Sequence, residues 1–274
     1  MDKITSYDQI QHFVNEIRRM RSGYLTNFYL DMARCEFLIG HKLLSSVSVG
    51  KSFFIFQEDH DFYHLFYLTT NPEQLKEDLD SLLIGCDHIL TVDLIGAGQN
   101  LGLLKRVFES NKFSPYNKLV RMSRLSEDSF EQEGLLTSSY ALKEDAQSIT
   151  DLLNLYFDPY CEQIPMLEEI ENYILKKQVL IIEIEDIIAG FIIFELNGLT
   201  SYLRYWFVDQ EYRDKKLGSS LLKRYFYESR DTKRQLFWVI ETNENAVKRY
   251  KHFSFKEENM YDEILIYNRQ YCNE

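Results

Sequence analysis

The chain has 274 residues, comfortable for two domains, and 45% of them are hydrophobic, enough for buried cores. Its net charge of −12 argues against nucleic acid as a partner, because a phosphate backbone is met by a basic field. Four scattered cysteines offer neither metal-ligand spacing nor a secreted disulfide framework, and no run nears the ~20 apolar residues of a membrane span, so a soluble, cytoplasmic protein with no metal site is expected.

In chain order, the periodicity predicts helices over Tyr7 to Arg21 and Thr26 to Leu44, then a hairpin-like pair of strands, Ser52 to Glu58 and Phe62 to Thr69. A helix opened by Asn71-Pro72 follows, then a strand from Ile89 to Leu94, a helix from Leu101 to Glu109 and a strand near Lys118 to Arg124. The acidic stretch Ser126 to Gly134 reads as a linker, dividing the chain into domains 1–130 and 135–274. Beyond it come a strand (Ser139 to Leu142), helices Asp145 to Tyr156 and Leu167 to Lys176, and strands Val179 to Glu185 and Ile187 to Glu195 around a tight Glu185-Asp186 turn. A strand from Ser201 to Val208, a helix from Leu217 to Ser229, a strand from Gln235 to Glu241, a helix from Glu244 to Lys251 and a strand near Glu263 to Asn268 complete the chain. Both halves therefore read as α/β, or α+β by some schemes.

The most informative stretch lies between the strand ending at Val208 and the helix starting at Leu217. The first turn of a helix offers unpaired N–H groups and the positive end of its dipole to anionic oxygens. Here it is preceded by Arg213, Asp214, Lys215 and Lys216 and contains Gly218 and Ser219, cations and a small residue where a diphosphate could dock. Leu217, Leu221, Leu222, Tyr225 and Phe226 recur at helical spacing and would seat that helix on a sheet.

This segment resembles the signature of the GNAT superfamily of acyl-CoA-dependent N-acyltransferases, Arg/Gln-x-x-Gly-x-Gly/Ala. Arg213 takes the first position and Gly218 the last, while Lys216 stands where the middle glycine is expected. Downstream, Asn243, Ala246, Tyr250 and Phe255 fit the family's later motif, Asn-x-x-Ala-x-x-x-Tyr-x-x-x-Gly-Phe, with Ser254 in place of the glycine. The resemblance covers nearly all of Thr137 to Arg269. The first half repeats the order of elements, and Leu104 to Phe113 aligns with Ala246 to Phe255 without a gap. Leu101 then replaces Asn243, Phe108 replaces Tyr250, and Asn71 to Glu77 is acidic where the cofactor turn should be basic. The expected architecture is a tandem of GNAT-like domains, each a mixed central sheet flanked by helices, the first degenerate and without a cofactor site.

The resemblance implies an N-acetyltransferase that uses acetyl-CoA as co-substrate and a primary amine of a small molecule or peptide as acceptor. It places the diphosphate on Arg213 to Ser219 and the pantetheine arm against the backbone of Phe207 and Val208, with Asn243 touching that arm or holding splayed strands apart. The sheet is expected to splay after Val208. Tyr250, protonated near neutral pH with an ordinary pKa of ~10, suits the general acid for a departing thiol of ~8–9. Glu241, at the end of the next strand, is the candidate base, working through water. A non-catalytic acyl-CoA sensor or scaffold is the alternative. A double-GNAT aminoacyl transferase acting on charged tRNA is opposed by the CoA turn and the negative charge. The acceptor pocket falls to the loop around Phe157 to Met166, which carries no motif, and nothing in the sequence fixes the oligomeric state.

Overall fold

The computed structural model describes residues 1–126 and 138–269, so most of the expected linker, 127–134, lies outside the described residues. The first part runs β1 (Asp2–Lys3), α1 (Tyr7–Arg19), β2 (Leu25–Thr26), α2 (Met32–Gly40), β3 (Leu44–Val49), β4 (Ser52–Asp59), β5 (Phe62–Thr69), α3 (Pro72–Leu83), β6 (Ile89–Gly96), α4 (Gly98–Ser110) and β7 (Ser114–Leu125). The second runs β8 (Ser139–Tyr140), α5 (Ala146–Tyr156), α6 (Leu167–Leu175), β9 (Val179–Ile184), β10 (Ile187–Asn197), β11 (Thr200–Val208), α7 (Leu217–Glu228), β12 (Arg234–Ile240), α8 (Glu244–His252) and β13 (Lys256–Tyr267). The division in space is not one cut along the sequence. Residues 1–119 and 259–274 form one compact unit and 120–258 the other, so most of β13 completes the first.

The first unit's sheet has the order β1-β3-β4-β5-β6-β13. Its neighbours are antiparallel except β5 and β6, which run parallel. One face packs under α3 and α4 through Phe54, Tyr67, Leu79, Val92 and Phe108. The other packs under α1 and α2 through Ile10, Ile17, Leu38, Ile55 and Phe66. Helix starts follow local chemistry: Gln9 Oε1 accepts the N–H groups of Thr5 and Ser6 ahead of α1, and Asn71 caps α3, accepting from Gln74 N at 2.9 Å. The sequence reading placed one helix from Thr26 to Leu44. Instead α2 spans only Met32–Gly40, started by Asp31 Oδ1 on Arg34 N, and the Leu-Ser-Ser-Val-Ser-Val run begins β3 at Leu44. That run alternates and is rich in serine and valine, which fits a pleated edge better than a helix.

The second unit repeats the plan: β8-β9-β10-β11-β12-β7, again with a single parallel pair, β11 and β12, among β8 to β12. Ile149, Leu153, Ile170, Ile181, Phe191 and Phe207 fill the face under α5 and α6. Leu221, Leu222, Tyr225 and Phe226 of α7 are buried, as their helical spacing requires. The two units also end their last helix alike. Phe113 N donates to Phe108 O and Lys112 N to Glu109 O; Phe255 N donates to Tyr250 O and Ser254 N to Lys251 O. Lys112 (φ 66°) and Ser254 (φ 65°) both take the left-handed conformation that this helix stop requires.

Candidate active site

In each unit the parallel ladder is short and the strands then part. β11 pairs with β12 only over Thr200↔Arg234, Ser201↔Gln235 and Tyr202↔Leu236. The splay thus begins after Tyr202, well before the expected Val208. A bulge accounts for the earlier opening. Ile193 faces Tyr205 and Phe194 faces Leu203, which leaves Arg204 as an extra residue, and a bulged strand bends and twists away from its neighbour. Arg204 is held there by Glu195 (3.5 Å), which also accepts from the Tyr173 hydroxyl (2.5 Å). Among the described residues, no strand pairs with the β12-facing edge of β11 beyond Tyr202, and such a splayed edge suits an extended ligand. The Phe207 ring is buried between Phe191 and Tyr156, and the Val208 side chain lies against α7.

Past Val208 the chain makes a short 3-10 turn, Gln210–Lys215, and enters α7 through Lys216. Lys216 has φ 59° and ψ 16°, the left-handed region, at the position where the motif expects glycine. The substitution changes the side chain and keeps the backbone, which adds a cation to the turn while accepting strain on the order of 1 kcal/mol. Lys215 and Lys216 are exposed, and Leu217 and Ser219 half-buried, around the helix start; the backbone of Arg213 and Asp214 passes through the 3-10 turn. Gly218 has a different reason for its size from the one read in the sequence. A Cβ there would come within 3.0 Å of the Trp206 ring and 3.4 Å of Val208, so the glycine lets α7 press on β11.

Tyr250 of α8 sits across the opened strands. Its ring lies 3.9 Å from Phe237 of β12 and 5.2 Å from Trp206 of β11, centroid to centroid. Burial raises its hydroxyl above the usual range, and the nearby Glu162 charge raises it further. The hydroxyl therefore stays protonated at neutral pH. Asn243 is used by the fold, since its Oδ1 accepts from Ala246 N at 3.2 Å and caps α8. Glu241 is exposed just beyond the end of β12.

Glu162 was not singled out by any motif. It belongs to the loop between α5 and α6, is half-buried, and burial pushes its carboxyl up to about 7, with a hydrogen bond from the Asp158 backbone opposing and the Asp158 charge adding. The one signal in the sequence is an acidic residue set among Phe157, Tyr160, Ile164 and Pro165. Among the described residues no cluster of His, Cys, Asp and Glu could hold a metal ion, and no helix is long and apolar enough to cross a membrane.

The first unit repeats the splay and fills it. β5 pairs with β6 only over Phe62↔Ile89, Tyr63↔Leu90 and His64↔Thr91. Beyond that point β2 pairs with the freed edge of β5, Leu25 with Thr69 and Thr26 with Leu68. Asn27 then bridges the gap, donating to Leu65 O (3.1 Å) and Asp93 O (3.3 Å) and accepting from Tyr67 N (2.8 Å). Gly23, at φ 107°, passes so close to the carbonyl of Thr70 that a Cβ would lie 2.4 Å from it. There is no phosphate turn either, since α3 begins at Pro72, directly after β5 and its Asn71 cap.

Two units with this strand order, each with a parallel pair that splays, define a tandem α/β architecture. Residues 146–255 match the acetyltransferase (GNAT) family, so the chain carries a GNAT acetyltransferase domain there. Solved structures with the same fold span both units. They include a tandem GNAT protein from the clavulanic acid biosynthesis pathway (10% identity, 97% of each chain, TM-score 0.57). A GNAT-family acetyltransferase from Colwellia psychrerythraea matches at 11% identity over 97% of this chain and 98% of that one, TM-score 0.53. The GCN5-related glucosamine N-acetyltransferase region of a fungal multi-domain β-N-acetylglucosaminidase matches 94% of this chain and 36% of that one (11% identity, TM-score 0.64). No curated protein matches the chain significantly.

Proposed function

We propose that the second unit transfers an acetyl group from acetyl-CoA to a primary amine of a small molecule or peptide. The observation that carries this reading is the open edge of β11 leading to the start of α7, with Tyr250 across the gap. The residues suit the co-substrate part by part. The first-turn N–H groups of α7, with Lys215 and Lys216 beside them, suit a diphosphate, and the splayed edge of β11 suits the amides of a pantetheine arm. A backbone N–H on that edge would stabilise negative charge developing on the thioester oxygen, a contribution of a few kcal/mol when preorganised. The Tyr250 hydroxyl would donate to the departing sulfur. Cys35 and Cys86 are free thiols, which fits a reducing, cytoplasmic setting.

The test combines calorimetry with thiol release across a panel of amines. One acetyl-CoA site per chain and amine-dependent release of CoA are expected. Two equivalent sites, or none, would overturn the reading; binding without thiol release for any amine would leave a binding module in its place.

A further inference from the structure

A cavity of about 470 Å³ opens beside α1 of the first unit, within the ~300–1,000 Å³ usual for small-molecule sites. One wall is a single face of α1, where Tyr7, Gln11, Asn15 and Arg18 follow at helical spacing with Ile10 and Val14 beside them. The other wall is the chain that follows α1, through Tyr24, Phe28 and Leu30. Both walls are fixed by the fold. Ile10 is buried in the core under α1, and Val14, Phe28 and Leu30 pack half-buried against that same core. Phe28 meets Phe66 edge-on at 5.3 Å. Between Tyr24 and Phe28 runs the segment that plugs the splay of β5 and β6. There Thr26 Oγ1 donates to Tyr67 O at 2.6 Å and accepts from Phe28 N at 2.9 Å. The chain that closes one cleft thus frames a second.

The lining carries charge of one sign. The protein has 43 acidic residues, yet none lines this cavity, and Arg18 is its single charge. Glu16, the acid nearest in sequence, is taken by Arg19 at 2.7 Å. The Arg18 guanidinium lies over the Tyr24 ring, 5.0 Å from its centroid, and among the described residues it pairs with no carboxylate. The side chains of Gln11 and Asn15 make no hydrogen bond among the described residues either. We propose that this cavity binds a small organic acid with an apolar body. The carboxylate takes the planar fork of Arg18, which suits it in bidentate fashion. The body lies on Ile10 and Val14 among the Tyr7, Tyr24 and Phe28 rings, and the Gln11 and Asn15 amides meet its polar substituents. A monoanion suits the site better than a phosphate ester, whose second charge would find no second cation in the lining. The site lies in the unit that lacks a phosphate turn, so it stands or falls independently of acetyl transfer.

The test is a titration of the isotope-labelled full chain, read by backbone amide shifts, with hydrocinnamate, isocaproate and indoleacetate. Each acid is paired with its primary amide, which keeps the body and removes the charge. At least one acid should saturate with a Kd of ~1 mM or tighter, moving the amides of 11–18 and 24–30, while its amide binds about 5-fold more weakly or worse. Arg18→Gln should weaken the acid by about 5- to 10-fold and leave the amide unchanged. Gln11→Trp fills the cavity from an exposed position and should abolish binding of both, with the rest of the amide spectrum showing an intact fold. No saturation by any of the three acids, equal binding of acid and amide, wild-type affinity in Arg18→Gln, or shifts confined to the start of α7 overturns the proposal.

Discussion

The two units solve one geometric problem in opposite ways. Each has a parallel pair that stays together for three residues and then parts, so that the two strands no longer bond to each other beyond that point. In the first unit the protein covers that backbone itself, with β2 along β5 and the Asn27 amide reaching to β6. Buried N–H and C=O groups are costly when unpaired, so a splay that no ligand fills must be filled by the chain. In the second unit β11 is bulged at Arg204, and the cleft ends at a cationic turn where the first unit goes straight into a capped helix.

The sharpest way to break this comparison is at the residue pair that terminates the last helix of each unit. Tyr250→Phe copies Phe108 into the second unit. It should lower the acetylation rate by roughly 10- to 10³-fold with CoA affinity nearly unchanged. An unchanged rate would make the tyrosine another aromatic wedge, like its counterpart, and a large loss of affinity would assign it to binding. Asn27→Ala removes the bridge in the filled cleft and leaves two carbonyls and an N–H without that partner. It should cost about 2–3 kcal/mol in denaturant unfolding, with the kinetic constants of the folded enzyme preserved. Kinetic constants that fall with stability would mean that the first cleft takes part in turnover. The smallest effect is expected from Lys216→Gly. Relief of the left-handed backbone outweighs the added freedom of the unfolded chain by about 0.5 kcal/mol, giving a slightly higher melting temperature and slightly weaker acetyl-CoA binding. A lower melting temperature would mean that the Lys216 side chain stabilises the turn more than its backbone strains it.

The order of elements in the second half was legible because its helices and strands carry strong periodicity and its two motifs have fixed spacing. The departures at Lys216 and Ser254 looked like weakened matches, yet both residues hold the left-handed conformation that glycine would supply. Residue identity hides what φ reveals. β2 escaped notice because two residues have no period, and the early splay did so because its position depends on a bulge in the pairing of β10 and β11. Glu162 escaped because burial is a tertiary property. The same letter in a solvated loop would be an ordinary surface acid.

The placement of β13 carries a consequence for how the protein is made. β6 pairs with β13 from Gly96↔Tyr261 to Leu90↔Tyr267, so the first unit's sheet waits for a strand separated from it by nearly the whole second half. During synthesis the early residues would leave the ribosome with an incomplete sheet and a bare strand edge, a surface prone to pairing with other chains. Such long-range closure slows folding, because loop entropy is lost before the contact forms. A fragment ending after α4 would keep Leu90, Val92 and Leu94 but lack Leu265 and Tyr267, which share their core. Expressed alone it should aggregate, and co-expression with a chain supplying β13 should rescue it, so the earliest-made half of the molecule would be among the last to finish folding.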